Sequence, residues 1–306
     1  MKTMKLSDKN LFYNHLIIRT LLLFILLNGF YSIQAQDVLQ VATKTLEKTI
    51  GAPAIRTLHI NAEKADIELV AWDKSEISIV LKLSSRHSDR TIATTDLAKF
   101  LYIADRSGKD YFLRNYILLK EGEAKPTSNF KAHYVIYLPP SCAIDLKNTF
   151  GTISMKGLTN NLQLKADFCT TSISDLQGKG FLQTTFGELK GNDVSGSFSF
   201  SSDHTNLRLE RIGGAIKMDA VYGNVEIYPS PGLTSLAIQS KKTVVTLLAK
   251  NWQQFDYTIN GAYTVMKLPN GFKWKRNTTD FKDAFFSKNQ LTNVHINTEF
   301  GNLTIK

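Results

Sequence analysis

Few side chains in this sequence have the types and spacing that catalysis requires. Asp175 and Asp193 are 18 residues apart, and two carboxylates on neighbouring strands could act as a general acid and base or hold a cation. Arg211 follows after another 18 residues. A surface ion pair between Asp193 and Arg211 explains this spacing more simply than catalysis does. The sequence therefore predicts no catalytic residue.

The cysteines and histidines do not form a metal-binding motif. Cys142 and Cys169 are the two cysteines of the chain, which is too few for a zinc site, and we expect both to be buried free thiols. The sequence contains no HExxH, GxSxG or phosphate-binding glycine motif. We therefore predict no metal, no cofactor and no enzymatic activity.

One segment has the composition of a binding site, and it consists of Phe272, Lys273, Trp274, Lys275 and Arg276. Alternation along a strand would place the two aromatic rings on one face and the two lysines on the other. This segment could bind an anionic glycan or a membrane through stacking beside cations. The alternative, which we favour, is a hairpin strand that packs its aromatic rings on the core.

An 18-residue repeat organises the rest of the chain. Its position 0 is held in turn by Phe150, Phe168, Phe186, His204 and Tyr222. Apolar residues recur at positions 3 and 5 and again at positions 12 and 14, so each repeat predicts two short strands with one buried face. In this register Val135 and Tyr137 take positions 3 and 5 of an earlier repeat, and Thr234 and Leu236 take positions 12 and 14 of a later one.

The repeat predicts an all-β fold, specifically a single-stranded parallel β-solenoid (β-helix-like) with 18-residue rungs stacked about 4.8 Å apart. Residues 58–69 and 294–305 match the same pattern. A short helix within residues 88–101 and hairpins at Ser107-Gly108 and Asn260-Gly261 would cap the open ends.

One turn of the repeat has an aromatic residue followed by glycine. We expect the glycine to supply a positive φ angle at this corner, and the aromatic rings to stack on their copies in adjacent rungs. Corner packing is favoured over a binding role for these rings. The structural repeat residues are Phe150, Gly151, Phe168, Phe186, Gly187, Tyr222, Gly223, Phe300 and Gly301.

Residues 1–35 have the pattern of a signal peptide. A basic segment precedes the apolar run of residues 21–27, and a cleavage site follows at Ala35. The run is short for a membrane span, which needs about 20 residues, although an uncleaved anchor is the alternative. We expect export to the periplasm, the outer surface or the medium, and no integral membrane segment after cleavage.

Charge and length complete the expected organisation. The 306 residues include 37 basic and 27 acidic side chains, for a net charge of +10, which favours anionic partners. We predict a signal peptide (1–35), a lead-in (36–57), strands with a helix and hairpin (58–131), the regular solenoid (132–239), a hairpin insertion (240–281) and a final rung (282–306).

The repeated Phe-Gly-x-hydrophobic motif, the segment Ala71-Trp72-Asp73 and the strand at residues 134–139 resemble the bacterial putative adhesin family of β-strand-repeat proteins. This resemblance covers residues 55–306 and implies a cell-envelope or surface location with an adhesive or scaffolding role. We expect an anionic glycan or an envelope protein as partner, and no nucleic acid, because the chain is predicted to be exported and contains no recognised nucleic-acid-binding motif. A polysaccharide-active parallel β-helix enzyme and an envelope-stress regulatory scaffold stay open as alternatives.

Overall fold

Strands dominate residues 39–306, which are the part of the chain that the computed structural model describes. The predicted signal peptide lies outside these residues. The strands are β1 (Gln40–Gly51), β2 (Thr57–Ala71), β3 (Glu76–His87), β4 (Phe100–Ser107), β5 (Asp110–Ile117), β6 (Asn129–Leu138), β7 (Ala143–Lys156), β8 (Asn161–Leu247), β9 (Asp256–Ala262), β10 (Val265–Lys267), β11 (Lys273–Asn277), β12 (Phe281–Phe286), β13 (Asn293–Glu299) and β14 (Asn302–Ile305). The described residues also include the α-helix α1 (Arg90–Lys99) and two short 3-10 helices, Ala52–Ala54 and Trp252–Gln254. The fold is all-β, as predicted.

The strands form one 14-stranded sheet, in which ten strands follow the order β1-β3-β6-β2-β7-β8-β13-β9-β12-β11. The other four branch from this path: β5 pairs with β2 and β4, and β14 pairs with β8 and β10. Its central strands pair in parallel: β2 with β7, β7 with β8, and β13 with both β8 and β9. Antiparallel pairs lie at the two ends, where β1 and β6 flank β3 and where β12 joins β9 to β11. Each end of the parallel region is therefore covered by antiparallel strands.

The parallel register follows the sequence repeat. Ile144 in β7 lies beside Leu162 in β8, and Met155 lies beside Ile173, so paired residues are 18 positions apart. The long segment β8 shows the same spacing in its side-chain contacts, for example between Asn206 and Asn224. Residues that the repeat makes equivalent therefore lie next to each other in space.

The buried side chains follow the predicted positions. Leu158, Leu176, Val194 and Ile212 at position 8 are all buried, as are most residues at positions 3, 5, 12 and 14. Removing these apolar surfaces from water stabilises the fold by about 25 cal/mol per Å². The core is continuous along the sheet because each repeat adds its apolar positions to those of the previous repeat.

The register predicted for the earliest repeat is wrong by one residue. Val135 is only partly buried and Tyr137 is exposed, whereas Tyr134 and Ile136 are buried. Tyr134 pairs with Ile67, and the register of β2 with β7 places Ile67 at position 3 of its own repeat. Tyr134 therefore also takes position 3. The turn after β6 holds one more residue than later turns. The alternation of buried and exposed side chains before this turn is therefore displaced by one residue from the predicted register.

The register after the turn at Pro229-Ser230-Pro231-Gly232 is displaced by two residues. Thr234, predicted at position 12, is exposed. Leu236 instead pairs with Val294, which holds position 12 of the last repeat. Leu236 therefore also takes position 12. The longer turn shifts the strand without changing which of its faces is buried, because a displacement of two residues preserves alternation.

The predicted hairpin at Asn260-Gly261 is wrong. Both residues lie inside β9, which pairs in parallel with β13 and antiparallel with β12. The chain turns later, at Tyr263, and continues as β10 beside β14. The local turn preference of Asn-Gly is overridden because pairing on both sides of β9 holds the segment extended. Residues 256–267 thus continue the repeat pattern beyond β13.

Two predicted elements outside the repeat are confirmed. The hairpin at Ser107-Gly108 joins β4 to β5, with Ser107 opposite Asp110. The predicted helix is α1, and Asp89 caps it by accepting hydrogen bonds from the backbone N–H groups of Thr91 and Ile92. A carboxylate at this place satisfies donors that the first helical turn leaves open.

The role predicted for glycine at the corner is confirmed at two corners and wrong at another. Gly151 and Gly223 have positive φ angles of 136° and 114°, whereas Gly187 has no positive φ. The residue at position 0, before the glycine, also has a positive φ angle. Gly187 is required for another reason: a Cβ atom there would overlap the carbonyl oxygen of Cys169 in the adjacent repeat. The residues with the positive φ angle, between 49° and 65°, are Lys64, Phe150, Phe168, Phe186, His204, Tyr222, Lys242, Tyr263 and Phe300.

We expect Gly187→Ala to lower the free energy of unfolding by about 1–3 kcal/mol, because the added methyl group must push two backbones apart. The matched control is Gly232→Ala, where the nearest atom to the new Cβ is 3.6 Å away. Thermal and urea unfolding followed by circular dichroism measures both variants. Equal stability of the two variants would contradict the close approach at Gly187.

Candidate functional site

The aromatic residues at position 0 form a stacked column on the surface. Centroids of successive rings lie 5.0, 5.1, 4.8 and 4.4 Å apart along Phe150, Phe168, Phe186, His204 and Tyr222. The Phe residues are 46–49% exposed. Neighbouring rings cover each other's faces, so mainly ring edges reach solvent. A sugar needs a free ring face for stacking, and the interior of this column does not offer one.

The column continues through the predicted Phe300 and through Lys242 and Tyr263, which the repeat analysis did not assign to it. Lys242 takes position 0 after Tyr222, and its Nζ lies 3.1 Å from the Tyr222 hydroxyl and 5.1 Å from the ring centroid. Phe300 and Tyr263 then stack at 5.0 Å. The sequence does contain a signal for a repeat centred on Tyr263: the apolar Met266 lies three positions after it, and Tyr257 lies six positions before it.

The hairpin β11–β12 holds the predicted ligand-binding segment, and its two aromatic residues differ in environment. Phe272 packs against the rings of Trp252, Tyr257 and Phe286 at the end of the core. Trp274 lies opposite the buried Ala284, yet it is 41% exposed. Within residues 39–306 no other aromatic ring stacks on it. Core packing therefore accounts for Phe272 and leaves Trp274 with accessible surface.

The three cations of this segment also differ. Lys273 is exposed, and the Nζ of the exposed Lys275 lies 5.2 Å from the ring centroid of Phe285. Arg276 forms an ion pair with Asp283 at 2.9 Å. The two lysines, which form no ion pair within the described part of the chain, are thus the charges open to a ligand.

The position of β11 suggests one structural role for these charges. It is the last strand of the sheet, and its pairing with β12 is irregular between Trp274 and Arg276. Bulges and lysines on an edge strand prevent pairing with other chains. This role explains the bulge and the lysines, but it does not require an exposed tryptophan.

Positive charge is concentrated in the part of the chain that contains this hairpin. Residues 241–306 carry ten basic and four acidic side chains, so they hold +6 of the net charge of +10. The same residues include the exposed rings of Trp274 and Phe281 and the exposed Val265. This part of the protein therefore attracts anions and offers apolar contacts to them.

Of the two carboxylates with catalytic spacing, Asp193 forms the predicted ion pair with Arg211, and Asp175 is in no ion pair within the described residues. Arg211 donates two hydrogen bonds of 2.7 Å to the carboxylate of Asp193. These hydrogen bonds hold the pKa of the Asp193 carboxyl below its usual value. A general acid at neutral pH needs a raised pKa instead, so this pair lacks the property that the enzyme interpretation requires.

Both cysteines are free and buried, as predicted. Burial raises the pKa of each thiol to about 11, so neither is a reactive thiolate at neutral pH. The Cys169 thiol lies 3.2 Å from the backbone carbonyl oxygen of Asp167. Two repeats further along the chain, the Thr205 hydroxyl makes the equivalent contact with the backbone carbonyl oxygen of Asp203. Cys169 thus takes a structural position at the corner.

The described residues contain no group of His, Cys, Asp and Glu side chains that could hold a metal ion. No helix within residues 39–306 is long and apolar enough to span a membrane.

No protein-family model matches the chain, and no curated protein matches it. Among solved structures, it is similar to a putative adhesin from Bacteroides fragilis NCTC 9343, with 10% identity, coverage of 86% of this chain and 97% of that chain, and a TM-score of 0.50. Two further solved structures have lower TM-scores. One is a putative cell adhesion protein from Clostridium sporogenes ATCC 15579, with 13% identity, coverage of 87% of this chain and 99% of that chain, and a TM-score of 0.26. The other is a putative lipid binding protein from Parabacteroides distasonis ATCC 8503, with 12% identity, coverage of 86% of this chain and 96% of that chain, and a TM-score of 0.41. The first likeness confirms the predicted resemblance at the level of the fold.

We expect Phe186→Ala to lower the free energy of unfolding by about 1–3 kcal/mol, because the variant loses two ring contacts of about 0.5–1.5 kcal/mol each. Phe181→Ala is the matched control, since Phe181 is 40% exposed and stacks on no ring within the described residues. Its cost should stay below about 0.5 kcal/mol. Urea unfolding tests this difference, and equal costs would show that the column does not stabilise the corner.

Proposed function

We propose that this chain is an exported, non-enzymatic binding protein of the cell envelope, and that its hairpin β11–β12 binds an anionic glycan. The exposed Trp274 beside Lys273 and Lys275 is the observation that carries this proposal. A tryptophan ring can stack on the apolar face of a sugar ring, and adjacent lysines attract carboxylate or sulfate groups. The similarity in fold to a protein described as a putative adhesin is consistent with a binding role.

We further propose that the parallel strands coil as a β-solenoid that acts as the rigid support for this site. The 18-residue register between β7 and β8 supports coiling, because each repeat pairs with the next one. Two corners per repeat also support it. Besides position 0, the residue at position 7 has a positive φ angle in four successive repeats, namely Gly157, Asp175, Asp193 and Arg211.

The binding site is tested with polygalacturonate and heparin, with uncharged dextran as the control polymer. We expect binding of the two anionic polymers that weakens as salt is added, because salt screens exposed charges. Trp274→Ala and Lys275→Ala should each weaken binding by about tenfold. Isothermal titration calorimetry measures the affinities, and circular dichroism verifies folding.

The matched control is Lys165→Ala, which removes an exposed lysine from a distant part of β8. This variant has the same net charge as Lys275→Ala, so equal losses in both variants would indicate nonspecific attraction and contradict a site at the hairpin. Binding to vesicles of anionic lipid without binding to either polymer would also contradict the proposed ligand.

Export is a separate part of the proposal, supported by the signal-peptide pattern of residues 1–35. Expression of the full chain in a Gram-negative bacterium should yield a mature protein outside the cytoplasm that begins at Gln36. Cell fractionation followed by N-terminal sequencing measures this. A protein that stays in the cytoplasm with its first residues intact would show that the segment does not direct export.

A further inference from the structure

The outward face of five parallel strands forms an open trough far from the hairpin in the order of the sheet. Its volume is about 610 Å³, and it is lined by side chains of β2, β7 and three successive repeats of β8. Residues of adjacent strands line up across it, as Asp145 with Gln163 and His59 with Asp145 do. At about 4.8 Å per strand, five strands give the trough a length of roughly 19 Å.

Five polar side chains of this trough have no partners within the described part of the chain. The side chains of Asn161, Gln163, Lys179, Ser197 and Ser199 line it, and none of them forms a hydrogen bond or ion pair with another side chain or with the backbone in residues 39–306. Their donors and acceptors are therefore available to a ligand.

The other outward face of the repeats behaves differently. There Arg208 bonds both Glu210 and Glu226 at 2.7 Å, and Asp66 accepts a hydrogen bond from the Thr152 hydroxyl. These side chains pair with one another across the strands, whereas the five trough side chains named above form no such pair within residues 39–306.

An aromatic side chain lies within the trough. Phe181 is exposed, and its ring stacks on no other ring within residues 39–306. The residue before it, Gly180, has no side chain to cover it. The ring faces of the corner column cover one another, whereas no aromatic ring in the described part of the chain covers Phe181, which is 40% exposed. Its ring can contact a flat apolar surface such as that of a sugar ring.

The end of the trough is fixed by His59. Its Nδ1 lies 2.9 Å from the carboxylate of Asp145, and its ring stacks on Phe112 at 4.7 Å. The negative charge of Asp145 and the positive charge of Lys179 cancel, so the trough has no strong net charge. This balance distinguishes it from the basic hairpin.

From these features we infer that the trough binds an uncharged, hydroxyl-rich oligosaccharide chain. One sugar ring would stack on Phe181, and neighbouring sugar hydroxyls would bond to the amides of Asn161 and Gln163 and to the hydroxyls of Ser197 and Ser199. Sites of this kind combine an aromatic platform with a few polar groups that fix orientation. The inference goes beyond the proposed function, because it concerns a second site with a ligand of different charge.

The test uses protein produced from the full chain and a panel of neutral hexasaccharides: β-1,4-glucan, β-1,3-glucan, α-1,4-glucan and β-1,4-mannan. Isothermal titration calorimetry should detect binding of at least one member, largely independent of salt because the ligand carries no charge. Phe181→Ala should weaken this binding by about tenfold, and Phe181→Tyr should retain it within about threefold. Phe181 is exposed, so both variants should fold.

Trp274→Ala separates this inference from the proposed function. It should leave hexasaccharide binding unchanged while weakening polygalacturonate binding, and Phe181→Ala should do the reverse. The inference is overturned if no hexasaccharide binds at millimolar concentration, if Phe181→Ala binds as tightly as the unchanged protein, or if hexasaccharide binding depends on Trp274 instead.

Discussion

Parallel pairing between neighbouring repeats is the constraint on which the rest of this structure depends. Strands about 4.8 Å apart hold equivalent residues of neighbouring repeats side by side. The nine position-0 residues named above share a positive φ angle, whether the side chain is aromatic, basic or a histidine. The close approach also excludes a side chain at Gly187, where a Cβ atom would overlap the neighbouring carbonyl. Turn, corner and core all follow from this pairing.

The corner shows how an unfavourable backbone is tolerated. A positive φ angle costs a residue other than glycine roughly 1–2 kcal/mol. Each stacked ring pair contributes about 0.5–1.5 kcal/mol, and Phe186 has a partner on both sides. The two effects are similar in size, so the column offsets much of the strain that the corner imposes. This accounts for aromatic residues at a half-exposed position without a ligand.

The proposed binding features lie where the packing of the sheet does not use them. Ring faces in the corner column are covered, and charges at the second corner are paired, as in Asp193 with Arg211. Trp274 at the end of the sheet and Phe181 in the trough each have a ring that stacks on no other within residues 39–306. One lies in a basic environment and the other in a balanced one, so the two sites would select ligands of different charge.

By itself, the sequence determined the strands, the 18-residue period and the buried positions of the regular part, because alternation between two faces is a local property of a strand. Only the tertiary structure decided how turn length shifts the register at Tyr134 and Leu236. It also decided that Asn260-Gly261 lies within a strand, since partners on both sides outweigh a local turn preference. The exposure of Trp274 and of Phe181 depends on which strand lies at the edge and which side chains pair across strands. These are long-range arrangements that no local pattern specifies.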